Sequence, residues 1–353
     1  MHVGALSSAQ LQAWAAGQGA SPEAARALAR VVAGRFANRS IAAPASKRLM
    51  ALAEAAFDTA LPEIAPAPAA DGTIRYAVRL HDGELVEAVA ITHPARTTVC
   101  LSTQAGCARG CVFCETGRLG LSRQLAAEEI TGQLAAVARH LAELGRPPPT
   151  NVVFMGMGEP LDNLEAVLAA CEVLTDDLGF ALAPRRLTVS TVGVVPKLRE
   201  LLRRSKVRLA VSLHAANDEE RRRLLPVARA WPLAELRAAI AESPRTVLVQ
   251  WTLIEGVNDS DRHADELFAF CAGLDVRVNL IPLNPGPETA LAAPSWERVR
   301  AFQKSLADRG LRTLVRMPHG REVGGACGQL AGALRDAPEG RAPLPVVGRA
   351  RRT

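Results

Sequence analysis

The sequence has few aromatic residues and no long apolar run. Aromatic residues make up 4% of the 353 residues, and there is a single tyrosine. No apolar stretch approaches the roughly 18 positions that a membrane-spanning helix needs. The first residues, MHVGALSSAQLQAW, lack the charged start and apolar centre of a signal peptide. We therefore expect a cytoplasmic protein that makes no membrane contact.

A strong excess of one charge is also missing. Lysine and arginine number 42 against 36 acidic residues, which gives a formal net charge of +6. This small excess is compatible with a polyanionic partner but is weak evidence for one. Hydrophobic residues at 48% and charged residues at 22% are typical of a globular protein and exclude wholesale disorder.

The order of segments predicts an α/β protein with attachments. Alanine-rich helical stretches fill residues 1–60, where Ser21 can cap and Pro22 can start a helix. The proline-rich stretch LPEIAPAPAADG then reads as a linker. TIRYAVRL and LVEAVAI follow as a hairpin around the turn residues Asp82 and Gly83.

From residue 98 onward, short β-rich runs alternate with longer amphipathic helical stretches. This alternation implies a parallel sheet covered by helices, and about six repeats favour a partial barrel over a long open sheet. Functional residues are expected at the carboxyl ends of the strands. We assign a helical N-terminal domain to 1–70, a hairpin extension to 71–97, the barrel core to 98–335 and a flexible basic tail to 336–353.

Three cysteines, Cys107, Cys111 and Cys114, lie within eight positions of GCARGCVFCETG. Thiols stay reduced in the cytoplasm, so such a cluster indicates metal binding or chemistry more than disulfides. Structural zinc and iron-sulfur sites ordinarily take four protein ligands, and three therefore leave one position open. The alternative is a structural zinc site completed by Cys100.

Polar residues also follow the ends of several β-rich runs. In FMGMGEP, Gly156 and Gly158 would let a ligand approach the backbone, and Glu159 could accept hydrogen bonds from an ammonium group. The alternative is an ordinary strand-to-helix turn.

Four further residues end β-rich runs, where barrel active sites carry ligand-binding groups: Ser190, Ser212, His214 and Asn284. Taken singly, each serine could cap the next helix and the histidine could be structural.

The four remaining cysteines fall into two pairs. Cys171 and Cys271 lie inside apolar helical patterns and read as small core residues. Cys100 ends a β-rich run. Cys327 lies in the glycine-rich segment GGACGQLAG, which does not have the pattern of a segment packed in the core.

From about residue 73 to 332 the chain resembles the radical S-adenosylmethionine (SAM) superfamily. Within it the chain is similar to the adenine-C2 RNA methyltransferases of the dual-specificity 23S rRNA and tRNA type and their C8-methylating resistance relatives. The motifs that carry the resemblance occur in family order: LVEAVAI, CLSTQAGCARGCVFCETG, FMGMGEPLDN, LTVSTVGVVP, VSLHAAND, LIPLNP and ACGQLAG.

The resemblance implies a partial (βα)6 radical SAM barrel and two cofactors. Cys107, Cys111 and Cys114 would hold a 4Fe-4S cluster that an external electron donor reduces. Two SAM molecules would be used per turnover, and the enzyme is expected to be a monomer. The implied SAM-binding residues are Gly158, Glu159, Ser190, Ser212, Leu213, His214 and Asn284.

The resemblance also implies three catalytic residues. Cys327 would first be methylated by one SAM, and a radical from the second would remove hydrogen from that methyl group before it joins adenine. Cys100 would then help remove the ring proton and displace the covalent link to the RNA. A disulfide between Cys100 and Cys327 would remain in the protein. Glu87 would orient or deprotonate the adenine, although it also reads as an exposed charge on a hairpin strand.

Two alternatives to methylation of adenine carbon 2 stay open. Pro160 follows Glu159 as in the C2 enzymes, which favours C2 over C8. The short N-terminal helical region, which in relatives helps bind RNA, and the stretch RMPHGREVGGACG depart from the usual family pattern. These departures allow a C8-methylating or divergent paralogue with another substrate. A non-catalytic, zinc-stabilised RNA-binding protein is the alternative from a different class.

Overall fold

The computed structural model describes residues 1–39, 45–286 and 289–330. The tail assigned to 336–353 lies outside these ranges. No helix within them is both long and apolar enough to cross a membrane.

Three helices form the N-terminal region: α1 (Ser8–Gly17), α2 (Pro22–Phe36) and α3 (Lys47–Ala56). As the sequence predicts, Pro22 starts α2, and the Ser21 hydroxyl caps it by accepting a hydrogen bond from the Ala24 amide at 3.3 Å. The helices bury an apolar cluster that includes Leu11, Leu28 and Phe57 and extends to Ala135 of the later helix over residues 127–143. This region is therefore packed onto the rest of the molecule through its own apolar residues.

Twelve strands follow the chain order β1 (Glu63–Pro68), β2 (Ile74–Arg79), β3 (Leu85–His93), β4 (Arg96–Cys100), β5 (Gln104–Cys107), β6 (Gly120–Gln124), β7 (Asn151–Phe154), β8 (Leu187–Thr191), β9 (Arg208–Ser212), β10 (Val247–Leu253), β11 (Val276–Pro282) and β12 (Thr313–Val315). Ten of them form one sheet in the order β1-β2-β3-β4-β7-β8-β9-β10-β11-β12, and β5 pairs with β6 alone. Every pairing from β4 to β12 in that sheet is parallel. The predicted α/β class with a parallel sheet is thus confirmed.

The extension before the parallel strands is larger than predicted. The hairpin of β2 and β3 forms as expected, with Gly83 in the left-handed region at its turn. However, β1 pairs antiparallel with β2, so the prediction of a linker at LPEIAPAPAADG is wrong. Pro66 and Pro68 are tolerated because β1 is an edge strand, where a missing N–H leaves no ladder bond unmade.

The remaining helices are α4 (Glu115–Leu119), α5 (Ala127–Glu143), α6 (Leu164–Thr175), α7 (Val195–Arg204), α8 (Asp218–Leu224), α9 (Leu233–Ala241), α10 (Asp261–Cys271) and α11 (Trp296–Ala307). Their apolar sides and the sheet share one core, in which Trp251 of β10 contacts Phe302 of α11. Cys171 and Cys271 are buried in this core, which confirms their assignment as core residues.

Candidate active site

The three-cysteine segment is a tight loop between β5 and α4. Cys107 ends β5, and Cys114 is the residue that precedes α4. Gly106 has a φ of +77°, and a Cβ there would lie 2.0 Å from the carbonyl oxygen of Gly120. A glycine is therefore required where β5 and β6 approach most closely, and this approach turns the loop inward.

Contacts from three elements hold the loop. The Arg109 guanidinium forms a two-point ion pair with Asp162, in which Nε donates to Oδ2 at 2.7 Å, and it lies 6.0 Å from the ring centroid of Trp231. The Val112 amide donates to the Leu224 carbonyl of α8 at 3.1 Å. The loop is therefore fixed on the rest of the barrel.

Burial raises the pKa of the Cys107 thiol to about 11, and it also raises the pKa of Cys111 and of Cys114. Cys114 raises the pKa of both other thiols further, since each charged sulfur would repel the next. These thiols therefore stay protonated at neutral pH in the free protein. A coordinated metal would stabilise the thiolates and so displace the protons.

The three sulfurs are not gathered as one zinc ion would gather them. Among the described residues, only Glu220, His263 and Glu266 place three ligand atoms within 4.8 Å of one another, so at least one pair of the three sulfurs is farther apart than that. A single tetrahedral zinc would hold thiolates roughly 3.8 Å apart, given a Zn–S bond of about 2.3 Å.

One cavity at the carboxyl ends of the parallel strands brings most predicted site residues together. It is lined by Cys107, Cys111, Cys114, Gly158, Glu159, Ser190, Ser212, His214, Asn284 and Cys327. Leu213 differs from its neighbours because its side chain is fully buried in the core.

Glu159 is buried at one wall of the cavity. Its two carboxylate oxygens accept hydrogen bonds from the amides of Leu161 at 3.0 Å and Val192 at 2.9 Å. Burial nevertheless raises the pKa of Glu159 to about 7, against the opposing effect of those amides. A cationic group in the cavity would favour the ionised form.

The two glycines beside Glu159 are required by packing within the protein. A Cβ at residue 156 would lie 2.7 Å from the backbone of Leu101, and one at residue 158 would lie 2.6 Å from the Gln104 side chain. Gly158 also has a φ of +103°, which side chains rarely allow. The sequence predicted that a ligand approaches the backbone at these glycines. In the structure, the protein segment after β4 lies against them.

Gln250 of β10 is a site residue that sequence reasoning missed. Its Oε1 accepts hydrogen bonds from the hydroxyls of Ser190 at 2.9 Å and Ser212 at 3.3 Å, and its side chain lines the cavity. Neither serine caps a helix, so that alternative is wrong. The signal was a polar side chain in the middle of the apolar run TVLVQWTL.

His214 is held in one orientation. Its Nδ1 accepts a hydrogen bond from the Thr252 amide at 2.8 Å, and the Phe113 ring meets it edge-on. Burial lowers the pKa of His214 to about 3, so the ring is neutral at physiological pH. Nearby, the buried Oδ1 of Asn284 has no hydrogen-bond partner among the described residues, as expected of an atom awaiting a ligand.

Cys327 and Cys100 are neighbours although 227 positions separate them in the chain. Burial raises the pKa of Cys100 to about 12 and nearby Cys327 adds to this, while the Arg316 guanidinium opposes it. The segment around Cys327 is bonded to α4, since the amide of Glu115 donates to the Gly328 carbonyl at 2.9 Å. Both cysteines are free thiols.

Glu87 lies apart from the residues that line the cavity. It is fully buried on β3 and forms an ion pair with Arg75 of β2. The alternative of an exposed charge on a hairpin strand is therefore wrong. The Arg75 backbone passes near the segment before Cys327, since a Cβ added at Gly325 would lie 3.6 Å from the Cβ of Arg75.

Comparisons with known proteins agree with this geometry. Residues 101–268 match the model of the radical SAM superfamily. The chain is 46% identical to Dual-specificity RNA methyltransferase RlmN of Halorhodospira halophila, over 81% of this chain and 80% of that protein. It is 43% identical to the protein of the same name from Syntrophobacter fumaroxidans, over 91% and 95%. The crystal structure of a radical SAM methyltransferase from Sphaerobacter thermophilus superposes with a TM-score of 0.85 at 39% identity, covering 94% of this chain and 99% of that one.

Proposed function

Because the chain belongs to the dual-specificity RNA methyltransferases of the radical SAM superfamily, we propose that it methylates carbon 2 of an adenine in 23S rRNA, tRNA or both, through a methylated Cys327. It is a radical SAM RNA methyltransferase, and the alternative of a non-catalytic zinc protein is wrong. One observation carries the proposal: Cys327 lines the same cavity as the three clustered cysteines, with Cys100 beside it.

The family implies a 4Fe-4S cluster and SAM, and the cavity fits both. Three cysteines of one short loop at the cavity wall, with Cys327 left over for the transfer, suit a cluster that would keep one iron open to SAM. When bound, the cluster and SAM supply a carbon radical that removes hydrogen from a methyl group.

We propose that Glu159 receives the SAM ammonium and that Asn284 accepts a hydrogen bond from SAM through its unpartnered Oδ1. Ser190, Ser212 and His214, with the backbone of Gly158 and Leu213, complete the binding residues. Support comes from their common cavity and from the buried Asn284 oxygen. Gln250 fixes the two serine hydroxyls.

The two remaining thiols would divide the transfer between them. Cys327 carries the methyl carbon and holds it beside the base as a thioether. The buried Cys100 thiolate would then take the ring proton, for which the nearby Arg316 charge is favourable, and the electron released with that proton would go to the oxidised cluster. As the Cys100 sulfur bonds to that of Cys327, the carbon–sulfur bond of the thioether breaks and the proton passes to the carbon that leaves with the product. The disulfide formed must be reduced before the next turnover.

Glu87 is proposed to act on the adenine from the hairpin side. The ion pair with Arg75 fixes the orientation of the Glu87 carboxylate. The closeness of Arg75 to Gly325 supports a position of this pair near the Cys327 segment.

The remaining features of the enzyme are also proposals. We propose that the N-terminal helices, assigned to residues 1–70, bind RNA, and the apolar cluster that packs them onto Ala135 supports a fixed position beside the barrel. Glu63–Pro68 of that range already pairs with the sheet. An external one-electron donor, a monomeric state and a cytoplasmic location are likewise expected. The target base would be flipped from a loop into the barrel mouth.

The decisive experiment measures modified nucleosides by mass spectrometry in RNA treated with the reconstituted enzyme. We expect 2-methyladenosine and a methyl mass on the peptide that contains Cys327. Formation of 8-methyladenosine instead would favour the C8 alternative, which only Pro160 now opposes.

Matched cysteine variants test the carrier. Cys327→Ala is expected to abolish methyl transfer, whereas Cys171→Ala, which removes a core thiol, should retain it. Methylated RNA from Cys327→Ala would overturn the cysteine route while leaving the radical SAM assignment intact.

A further inference from the structure

Arg221 of α8 is a fully buried cation that the proposed reaction does not use. Its relative exposure is 0%, although arginine is almost never fully buried unless it is paired. Its Nε donates to the Leu213 carbonyl at 3.3 Å and one terminal nitrogen donates to the Val192 carbonyl at 2.6 Å. Both acceptors are neutral, so these bonds orient the guanidinium without neutralising it.

The third guanidinium nitrogen has no partner among the described residues. Nη1 of Arg221 is buried and makes no hydrogen bond. A buried charged donor that is left without an acceptor destabilises the fold, because its lost hydration is not replaced. The structure therefore points to an anionic group that binds beside Arg221.

The surroundings of Arg221 indicate which anion this is. Asp218 has the larger electrostatic effect on Arg221 and Cys111 the smaller. The Asp218 carboxylate accepts from the Leu233 amide at 2.9 Å and leaves Nη1 of Arg221 without a partner among the described residues. The cysteine loop is also bonded to the end of α8, where the Leu224 carbonyl accepts from the Val112 amide. Burial lowers the pKa of Arg221 to about 10, so it still carries its charge at neutral pH.

We propose that Arg221 is the buried counter-charge of the cluster held by Cys107, Cys111 and Cys114, and that it raises the reduction potential of that cluster. A 4Fe-4S cluster with three thiolates carries one net negative charge when oxidised and two when reduced. A fixed cation nearby stabilises the reduced form more, because net charge and hydrogen bonds to sulfur set the potential. Arg221 is thus a positioning residue that acts through the cluster.

The test is a redox titration of the reconstituted enzyme, followed by electron paramagnetic resonance, without SAM or RNA. Two neutral variants are compared: Arg221→Gln and Arg221→Met. At the wild-type midpoint, we expect the ratio of reduced to oxidised cluster to fall at least about tenfold, which is about 59 mV for a one-electron couple. Arg221→Lys should lose less than half as much, since it keeps the charge.

Arg223→Gln is the matched control. It removes the same formal charge from the same helix, but its side chain is exposed and paired with Glu219. Solvent screens an exposed charge, so its potential should equal that of the wild type. Iron and sulfide contents are measured in every variant, so that only fully loaded protein is compared.

Each result decides the matter. An unchanged potential in Arg221→Gln and Arg221→Met would overturn the proposal, and so would an equal shift in Arg221→Lys. Weaker SAM binding at an unchanged potential would assign the anion to SAM instead. If both neutral apoproteins fail to fold, Arg221 is structural and the proposal is wrong. Neutral variants that fold but do not retain iron, while Arg221→Lys does, would support it. Because no RNA is present, failure of the methylation assay leaves this test intact.

Discussion

At the scale of single residues, His214 shows how one side chain serves both fold and site. Its φ of +59° is rare for a residue with a side chain, and its Nδ1 accepts the Thr252 amide. Burial keeps the ring neutral, with its pKa lowered to about 3. The folded state therefore resists a proton that the unfolded chain accepts near the ordinary histidine pKa of about 6.5.

This difference predicts a pH dependence of stability. Between pH 6.5 and 3 the unfolded state binds more protons at His214, so its contribution is present above pH 6.5 and is lost as the pH falls. The loss should be about 1.4 kcal/mol per pH unit. Asparagine accepts a hydrogen bond and tolerates a positive φ, which makes His214→Asn a matched variant. Denaturant unfolding of the apoprotein at pH 6.5 and 5 measures how far the unfolding free energy falls between the two pH values. An equal fall in the wild type and in His214→Asn would contradict the expectation.

At the scale of elements, the cysteine loop depends on partners from distant segments. Arg109 binds Asp162 after β7, Val112 binds the end of α8, and the Cys327 segment is bonded to α4. Each contact joins a different strand-helix unit to the loop. Its geometry therefore requires the assembled barrel.

The Arg109–Asp162 ion pair provides a prediction at this scale. Both side chains are only about one-fifth exposed, at 22% and 19%. Two-point ion pairs of this kind couple more strongly than exposed ones, so a cycle of Arg109→Gln, Asp162→Asn and the double variant should give a coupling of about 1 to 3 kcal/mol in unfolding free energy. The exposed Arg204–Glu165 pair is the control and should couple less. Additive effects at Arg109 and Asp162 would show that the pair does not stabilise the loop.

At the scale of the whole molecule, the protein has a modest net charge of +6 with which to bind RNA, which is a polyanion. Binding of RNA releases counterions, so the logarithm of affinity should fall linearly with the logarithm of salt concentration. We expect a slope of about −2 or steeper, for three or more phosphates on a single strand at about −0.7 each.

Filter binding of a substrate RNA from low to moderate salt measures this slope. SAM binding by the same preparation is the internal control, because the proposed SAM site contacts no phosphate backbone and its affinity should depend little on salt. A flat RNA slope would mean that base contacts, rather than phosphates, provide the affinity.

Short-range patterns in the sequence were sufficient for several features. The cysteine spacing, the alternation of strands and helices and the Ser21–Pro22 helix start are encoded within a few positions, because hydrogen bonding and side-chain periodicity there are local. The family motifs were also sufficient to identify the family, because they occur in a fixed order along the chain. Such signals need no knowledge of which distant segments meet.

Only the tertiary structure decided which residues far apart in the sequence lie together. It brought Cys327 beside Cys100, made β1 an edge strand instead of a linker, and buried Glu87 with Arg75. It also buried Arg221 within electrostatic range of Cys111, with one guanidinium nitrogen that has no partner among the described residues. No local pattern specifies these outcomes, because burial and charge pairing depend on which surfaces the closed fold removes from water.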